Sequence, residues 1–267
     1  MARAARWGRE RSAIVPRGGR PGARRVPLST ELRGCRDGAW HLETARPDGS
    51  AGKPSGRIGS APAFEKPLTL LYDSAVSGNC YKVRLLLAHL GIPYERREVD
   101  VVDRSNRPEL LGGLNPALRV PTLVLDDGRA LAESGAILWY FGEGTSFVPE
   151  GRYERAQVLQ WMFFEQYDHE PALAVVRFWL AYSGRPEAFA DRLDERTAAG
   201  YRALDAMERH LDRHPYLVGE GMTLADIALY AYTHVAHEGG FDLESYPAVR
   251  AWLDRIRAEP GHVPIDA

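Results

Sequence analysis

The hydrophobic pattern of this chain changes once, near residue 144, and that change restricts the folds open to it. Residues 67–142 combine short apolar runs at the strand period of two with runs at the helical period. Beyond residue 145 the strand pattern ends, and long stretches of helical period follow. The pattern predicts a small α/β domain followed by an all-α domain.

The first part of the chain predicts the order strand, helix, strand, helix, strand, strand, helix. A buried strand at 68–72 precedes a helix at 78–90, which Gly91 and Pro93 bring to an end. The later elements are predicted at 94–101 (strand), 108–111 (helical turn), 120–125 and 130–131 (hairpin) and 135–141 (helix, with Ser134 as its N-cap). The helical stretches of the second part are predicted at 152–182, 190–213, 223–237 and 247–258.

The first 64 residues differ from the rest in composition. They contain ten Gly and six Pro and keep neither period for long, so we expect disorder. They carry 13 Arg and Lys against five acidic residues, whereas the rest of the chain carries 21 against 31. An Arg-rich arm for RNA or anionic membrane and a transit peptide are open interpretations, but we favour a passive tail or translated upstream sequence. The predicted domains are a tail at 1–65, an α/β domain at 66–144 and a helical domain at 145–267.

Composition also argues against several classes of protein. No apolar run approaches the roughly 20 residues of a membrane-spanning helix, and the acidic body has no general affinity for nucleic acid. The cysteines Cys35 and Cys80 are too few for a disulfide scaffold, and the eight histidines lack metal-site spacing. We therefore expect a cytoplasmic protein that holds no metal and binds neither membrane nor nucleic acid.

Three segments occur in order at 72–95, 114–141 and 217–232. They read YDSAVSGNCYKVRLLLAHLGIPYE, LNPALRVPTLVLDDGRALAESGAILWYF and LVGEGMTLADIALYAY. The first is similar to the first strand, active-site loop and first helix of the soluble glutathione transferases. The second is similar to their glutathione-binding block, and the third to the capped helix of their C-terminal domain. The chain resembles this family over roughly residues 67–260, as a bacterial member with a serine-type active-site loop. The resemblance implies a thioredoxin-like domain followed by a helical-bundle domain, a homodimer, and glutathione as cosubstrate.

Val120 and Pro121 carry the most specific physical argument. A Pro that opens a strand leaves the neighbouring backbone edge unpaired. In the resembled family this Pro is cis, and the preceding residue's free N–H and C=O pair with the cysteine part of glutathione as an added strand. The resemblance thus places glutathione on Val120 and Pro121, although simple entry of Pro into an edge strand would also explain the pattern.

The two ends of glutathione carry charge, and the resemblance assigns partners to them. Glu133 and Ser134 precede a helix whose first N–H groups favour an anion. The resemblance places the γ-glutamyl carboxylate on Ser134 and the ammonium on Glu133, and Ser134 alone would read as an N-cap. Candidates for binding the glycyl carboxylate are Arg119, Arg104 and Asn106. Each of them could equally be a solvated surface residue that binds no ligand.

The glutathione thiol has a pKa of about 8.5, so catalysis needs a donor near the sulfur. Ser77 begins the first helix, where its hydroxyl and the helix N-terminus can stabilise a thiolate. Asn79 is a second donor candidate. Cys80 shares the apolar stripe of the helix, so we expect a buried structural thiol and not thiol transfer. Tyr72 is expected to pack in the core.

The helical part contains an aromatic cluster that suits an apolar cleft as well as a core. We select Tyr167, Arg177 and Trp179 as candidate contacts to an electrophile. Thr223 and Asp226 form a capping-box pattern, so Asp226 is expected to be structural.

These residues predict a glutathione S-transferase in which Ser77 stabilises the glutathione thiolate for attack on a small electrophile. A glutathione-dependent disulfide oxidoreductase that uses the same site is one alternative. A transferase-like scaffold that binds partners without catalysis is another. The sequence does not identify the electrophile or disulfide.

Overall fold

A computed structural model describes residues 69–267 of the chain. The expected tail at 1–65 lies outside the described residues. The first part forms, in chain order, β1 (Thr69–Asp73), α1 (Gly78–Leu90), β2 (Tyr94–Glu98), α2 (Arg107–Leu111), β3 (Thr122–Val124), β4 (Ala130–Ala132) and α3 (Ser134–Gly142). The four strands form one sheet in the order β2-β1-β3-β4. β1 pairs with β2 in parallel and with β3 antiparallel, and β3 pairs with β4 antiparallel. This mixed sheet confirms the thioredoxin-like domain.

The second part of the described chain is helical, as predicted. It forms α4 (Arg152–Phe164), α5 (Glu170–Arg177), α6 (Ala190–Leu211), α7 (Leu224–Thr233) and α8 (Pro247–Arg257). Every residue of α7 is buried, as expected for a central helix that is apolar all round. Of the helices that residues 69–267 form, none combines the length and the apolar character needed to cross a membrane.

Helix α1 lies between the sheet and the helical domain. Val83 and Leu87 pack on the sheet cluster around Leu71 and Leu123. Other buried side chains of α1, Tyr81, Leu85 and Leu86, belong to the core of the helical domain. Because α1 buries apolar side chains on both sides, packing against both domains holds its N-terminus in place.

Several predicted boundaries differ from the structure, among them the end of β2 and the start of α3. The strand predicted at 94–101 ends at Glu98, because the Asp100 carboxylate accepts hydrogen bonds from the N–H groups of Val102 (2.6 Å) and Asp103 (3.0 Å) and turns the chain. The prediction of Ser134 as N-cap is wrong. Ser134 is the first residue of α3, and Glu133 occupies the cap position.

The helical stretch predicted at 152–182 is not one regular α-helix. A π-helical turn at Glu165–His169 separates α4 from α5, and a second at Phe178–Tyr182 follows α5. Each π-helical turn shifts the helical register, so the residues that follow it face a different direction. Both turns border the cleft described next.

Candidate active site

A cleft of about 520 Å³ lies between the α/β domain and the helical domain. The α/β side contributes all but one of the predicted glutathione and thiol contacts, namely Ser77, Asn79, Arg104, Arg119, Val120, Pro121, Glu133 and Ser134. The opposite side comes from α5, both π-helical turns, Phe189 and α7. The fold thus brings residues from four separate segments of the α/β domain to one cavity.

The open edge of the sheet is formed at Val120 and Pro121. Their peptide bond is cis, in agreement with the expectation from the family resemblance. Within residues 69–267, neither the N–H nor the C=O of Val120 has a hydrogen-bond partner. The buried Asn115 side chain holds this loop by donating to the Arg119 carbonyl (3.0 Å) and to the Thr122 hydroxyl (2.9 Å). The edge is therefore held in place while its backbone groups face the cleft unpaired.

Glu133 and Ser134 form the entry to α3. Glu133 is exposed and has a left-handed backbone, with φ of 68°, which is uncommon for a residue other than glycine. The buried Ser134 donates its hydroxyl hydrogen to Oδ1 of Asn79 at 3.3 Å. This contact links the predicted γ-glutamyl site directly to the predicted thiol site.

Ser77 is the N-cap of α1, and its Oγ accepts a hydrogen bond from the Cys80 N–H at 3.3 Å. Because a hydroxyl is both donor and acceptor, Ser77 keeps its own hydrogen available for the cleft. Asn79 lines the same wall, and its Nδ2 donates to Oε1 of Glu170 at 3.1 Å. An amide nitrogen carries two hydrogens, so Asn79 also keeps one to donate.

Cys80 and Tyr72 lie away from the cleft, as expected. Cys80 is free and fully buried, and burial raises the pKa of its thiol, an effect that the nearby Asp73 reinforces. A buried thiol with a raised pKa is a poor nucleophile. Tyr72 packs with Val99 and Leu111.

Three arginines of the α/β domain line the cleft. Arg104 and Arg119 are exposed and line it, as the sequence predicted, whereas Asn106 is not among its lining residues. Sequence reasoning missed Arg107, a buried lining residue whose guanidinium donates to the carbonyls of Leu118 (3.2 Å) and Asp100 (3.2 Å). Nothing in the sequence separates Arg107 from its solvated neighbours.

The helical wall matches the predicted electrophile contacts in part. Arg177 and Trp179 line the cleft, but the structure does not bring Tyr167 there. Tyr167 is 83% exposed and borders a separate depression next to α6. The lining residues that sequence reasoning missed on this wall include Glu170, Phe189 and Tyr232.

Arg177 is already committed to contacts within the protein. Its guanidinium donates to the Val76 carbonyl (2.6 Å), to the Tyr182 hydroxyl (2.9 Å) and to Glu238 (3.1 Å). Tyr182 donates to the same Glu238 carboxylate at 2.6 Å. Arg177 therefore ties the helical domain to the loop that carries Ser77.

No group of side chains among residues 69–267 has the composition and spacing of a metal site.

Together, the fold and the cleft define a class: a thioredoxin-like domain with a cis-proline edge, joined to a helical domain across a shared cavity. The sequence matches the glutathione S-transferase N-terminal domain over residues 76–143 and the glutathione S-transferase C-terminal domain over residues 172–260. It is 30% identical over 194 residues to the disulfide-bond oxidoreductase YfcG of Escherichia coli (strain K12), an alignment that covers 70% of this chain and 89% of YfcG.

Solved structures show the same relationship. A glutathione S-transferase from Pseudomonas fluorescens is 49% identical, with a TM-score of 0.72, and the match covers 74% of this chain and 98% of that one. A possible glutathione S-transferase from Rhodopseudomonas palustris is 46% identical, with a TM-score of 0.72 and coverage of 75% and 98%. The chain belongs to the glutathione S-transferase family.

Proposed function

We propose that the protein is a glutathione S-transferase that conjugates the glutathione thiol to a small electrophile. The observation that carries this proposal is the convergence on one cleft of an unpaired backbone edge at Val120, the Glu133–Ser134 pair, and the remaining donor hydrogens of Ser77 and Asn79. Each of these features suits a different part of glutathione, and all lie on the α/β side of the cavity.

Glutathione would bind along this side in an extended form. The N–H and C=O of Val120 would pair with its cysteine residue as an added strand. Ser134 and the N-terminus of α3 would receive the γ-glutamyl carboxylate, and Glu133 would receive the ammonium. The glycyl carboxylate would lie toward Arg119, Arg104 and Arg107, which are cationic residues of the α/β domain that line the cleft.

Ser77 and Asn79 would then act on the sulfur. Hydrogen bonds to the charged form of a group favour that form, so a donor aimed at the sulfur lowers the pKa of the bound thiol. The thiolate attacks an electrophilic carbon and forms a C–S bond. In a substitution, the leaving group departs with its electron pair. In an addition, the π bond of the attacked carbon breaks, its electron pair moves to the neighbouring atom, and that atom takes a proton from solvent. The apolar wall at Val175, Phe178 and Trp179 would receive the apolar part of the electrophile.

A glutathione-dependent disulfide reductase is the second candidate, and the similarity to YfcG favours it. In this reaction the glutathione thiolate attacks a disulfide and forms a mixed disulfide while one thiol leaves. A second glutathione then releases the other thiol as oxidised glutathione forms. The buried Cys80 takes no part in this exchange, so both reactions would use the same glutathione site.

Parallel assays with an aryl halide and with a small disulfide, alongside calorimetric titration with glutathione, separate the candidates. Conjugation of the aryl halide with slow disulfide reduction supports the transferase. The reverse supports the oxidoreductase. Glutathione binding without either activity indicates a binding scaffold, and absence of glutathione binding contradicts the proposed function altogether.

A further inference from the structure

Below the floor of the cleft lies a buried ion pair that the proposed reaction does not use. Lys82 of α1 and Glu165 of the first π-helical turn are 1% and 3% exposed, and Nζ lies 2.7 Å from Oε1. The pair joins the two domains, because α1 belongs to the α/β domain and Glu165 to the helical domain. A buried ion pair contributes little to stability on its own, so another role for it is worth testing.

Lys82 also contacts the candidate thiol donor. Its Nζ donates to Oδ1 of Asn79 at 2.7 Å. An ammonium group donates but cannot accept, so it requires the oxygen of the Asn79 amide to face Lys82. The nitrogen of the amide is therefore turned away from Lys82, and Nδ2 donates to Oε1 of Glu170, another residue that lines the cleft, at 3.1 Å.

The backbone of Asn79 is held from the helical domain as well. The Tyr232 hydroxyl accepts a hydrogen bond from the Asn79 N–H at 3.2 Å. The Tyr232 ring packs against Gly78 so closely that a Cβ there would come within 2.5 Å of it. Lys82 Nζ lies 5.6 Å from the centre of the same ring. Asn79 is thus fixed at its main chain and its side chain by one cluster.

We propose that Lys82, held by Glu165, is a positioning residue of the thiol site, which orients the Asn79 amide toward the cleft and strengthens Nδ2 as a donor to the glutathione sulfur. The charge on Lys82 draws electron density toward Oδ1, and hydrogen bonds in a chain polarise one another in this way at low dielectric. The bound thiol therefore ionises at lower pH. This inference rests on the proposed function.

The charged groups around Asn79 determine how its amide is polarised, and Lys82 supplies the positive charge among its direct partners. Glu165 and Glu170 are the carboxylates of the cluster. His169 is neutral at pH 7, because burial and the Lys82 charge lower its pKa to about 3. Among the charged groups of the described chain that hydrogen-bond to the Asn79 side chain, Lys82 is the cation and Glu170 the anion.

More distant charges line the rest of the cleft and are common to all the variants considered below. They are Glu133, Arg104, Arg107, Arg119 and Arg177. Arg177 is neutralised by Glu238 at 3.0 Å. Since these groups stay in place, a change in thiol ionisation in the variants reports on the cluster beneath Asn79.

The test compares the wild-type protein with Lys82→Met/Glu165→Gln, a double variant that keeps the net charge and removes the contact to Asn79. The fraction of bound glutathione present as thiolate is followed by ultraviolet absorbance across pH. We expect the ionisation midpoint to rise by about one pH unit, a tenfold change in the ionisation constant. Turnover at neutral pH should fall by a similar factor, with a much smaller change in the Kd for glutathione.

Two further variants keep the result interpretable. Val249→Ala removes buried methyl groups on α8, outside the cleft, and serves as a control for lost stability that should leave the midpoint unchanged. Glu165→Gln keeps the positive charge of Lys82 and removes the carboxylate that compensates it. The ionisation midpoint of bound glutathione in this variant should therefore equal that of the wild-type protein or lie below it. An upward shift of the midpoint in Glu165→Gln relative to the wild-type protein would contradict the proposal, and this outcome can be read even if the double variant does not fold.

A double variant that folds, binds glutathione and ionises it at the wild-type pH would show that Lys82 is structural only, and the inference would be wrong. Failure of the wild-type protein to bind glutathione would instead contradict the proposed function. The two failures are distinguished by the wild-type titration alone.

Discussion

Asn79 and Cys80 are adjacent in α1, yet their side chains meet different surroundings. A step of one residue turns a side chain by about 100° around an α-helix. Asn79 faces the cleft and contacts Ser134 and Glu170, whereas Cys80 is fully buried. The position that reaches the cleft therefore carries an amide, and the thiol lies in the core.

Replacement of Cys80 by Ala should leave turnover and its pH profile close to those of the wild-type protein. The reason is that the thiol is buried and its pKa is raised, so it is neither accessible nor ionised. Steady-state kinetics with glutathione across pH make the comparison. A variant that is folded, as judged by circular dichroism, but inactive would assign the chemistry to the Cys80 thiol.

Glu133→Ala should weaken glutathione binding by roughly 1.5–3 kcal/mol, the range for a hydrogen bond to a charged group. Glu133 is exposed at the rim of the cleft, so the change removes a ligand contact and little packing. Calorimetric titration measures the effect. Glu143→Ala is the matched control, because Glu143 lies just past the other end of α3, where it pairs with Arg155. Equal affinities in the two variants would remove Glu133 from the site.

At the scale of elements, the sequence predicts best where the signals are local. The bounds of α1 agree with the predicted 78–90, because Ser77 caps its start and Gly91, with φ of 63°, ends it. The hairpin of β3 and β4 also follows from its turn residues. The capping box is confirmed, with the Asp226 carboxylate accepting the Thr223 N–H at 2.8 Å.

Elements that depend on distant contacts could not be predicted. The π-helical turn at Glu165–His169 buries both of these polar residues, whose partners Lys82 and Thr233 lie far away in the sequence. The start of α3 depends on a left-handed Glu133 and on the contact between Ser134 and Asn79. The local sequence pattern indicates neither of these features, so the prediction placed the N-cap of α3 at Ser134, one residue after its position at Glu133.

The end of α7 gives a prediction about pH. His234 is largely buried, and burial lowers its pKa to about 4. In the unfolded chain the pKa of His234 returns to about 6.5. Between about pH 6.5 and pH 4 the unfolded chain therefore binds a proton that the folded chain does not, and the free energy of unfolding falls as pH decreases. At pH 5 we expect His234 to reduce the free energy of unfolding by about 2 kcal/mol relative to pH 7.

Denaturant unfolding of the wild-type protein and of His234→Gln at pH 7 and pH 5 tests this expectation. The wild-type protein should lose more stability on acidification than the variant, which lacks the titrating ring. Identical losses would mean that His234 is not held neutral in the folded state.

The cleft between the two domains exists because both of them pack against α1. The α/β half of the site was predictable, since the motifs around Ser77, Val120 and Glu133 lie within one domain. The helical wall was not, because Glu170 and Tyr232 reach Asn79 across large separations in the sequence. The prediction for Tyr167 rested on aromatic composition, which does not distinguish a cleft from an exposed surface.

We expect a homodimer. The family resemblance implies one, and α4 carries an apolar side chain that the described chain leaves uncovered, since Phe163 is 68% exposed while Val158 and Met162 on the same helix are buried. Analytical ultracentrifugation at micromolar concentration should show a dimer. Replacement of Phe163 by Asp should weaken it. A wild-type protein that sediments as a monomer would refute the expectation.

We expect a donor in the active-site loop to stabilise the glutathione thiolate, and Ser77→Ala removes that donor. Loss of one oriented donor should reduce turnover on the order of 10- to 1000-fold. Affinity for glutathione should change far less, because the interaction strengthens as the thiolate forms.

The decisive measurement is the pH at which bound glutathione ionises in the wild-type protein and in Ser77→Ala, followed by thiolate absorbance. We predict an upward shift in the variant together with the loss of turnover. An active Ser77→Ala with an unchanged ionisation profile would contradict the role of Ser77 and leave thiolate stabilisation to Asn79.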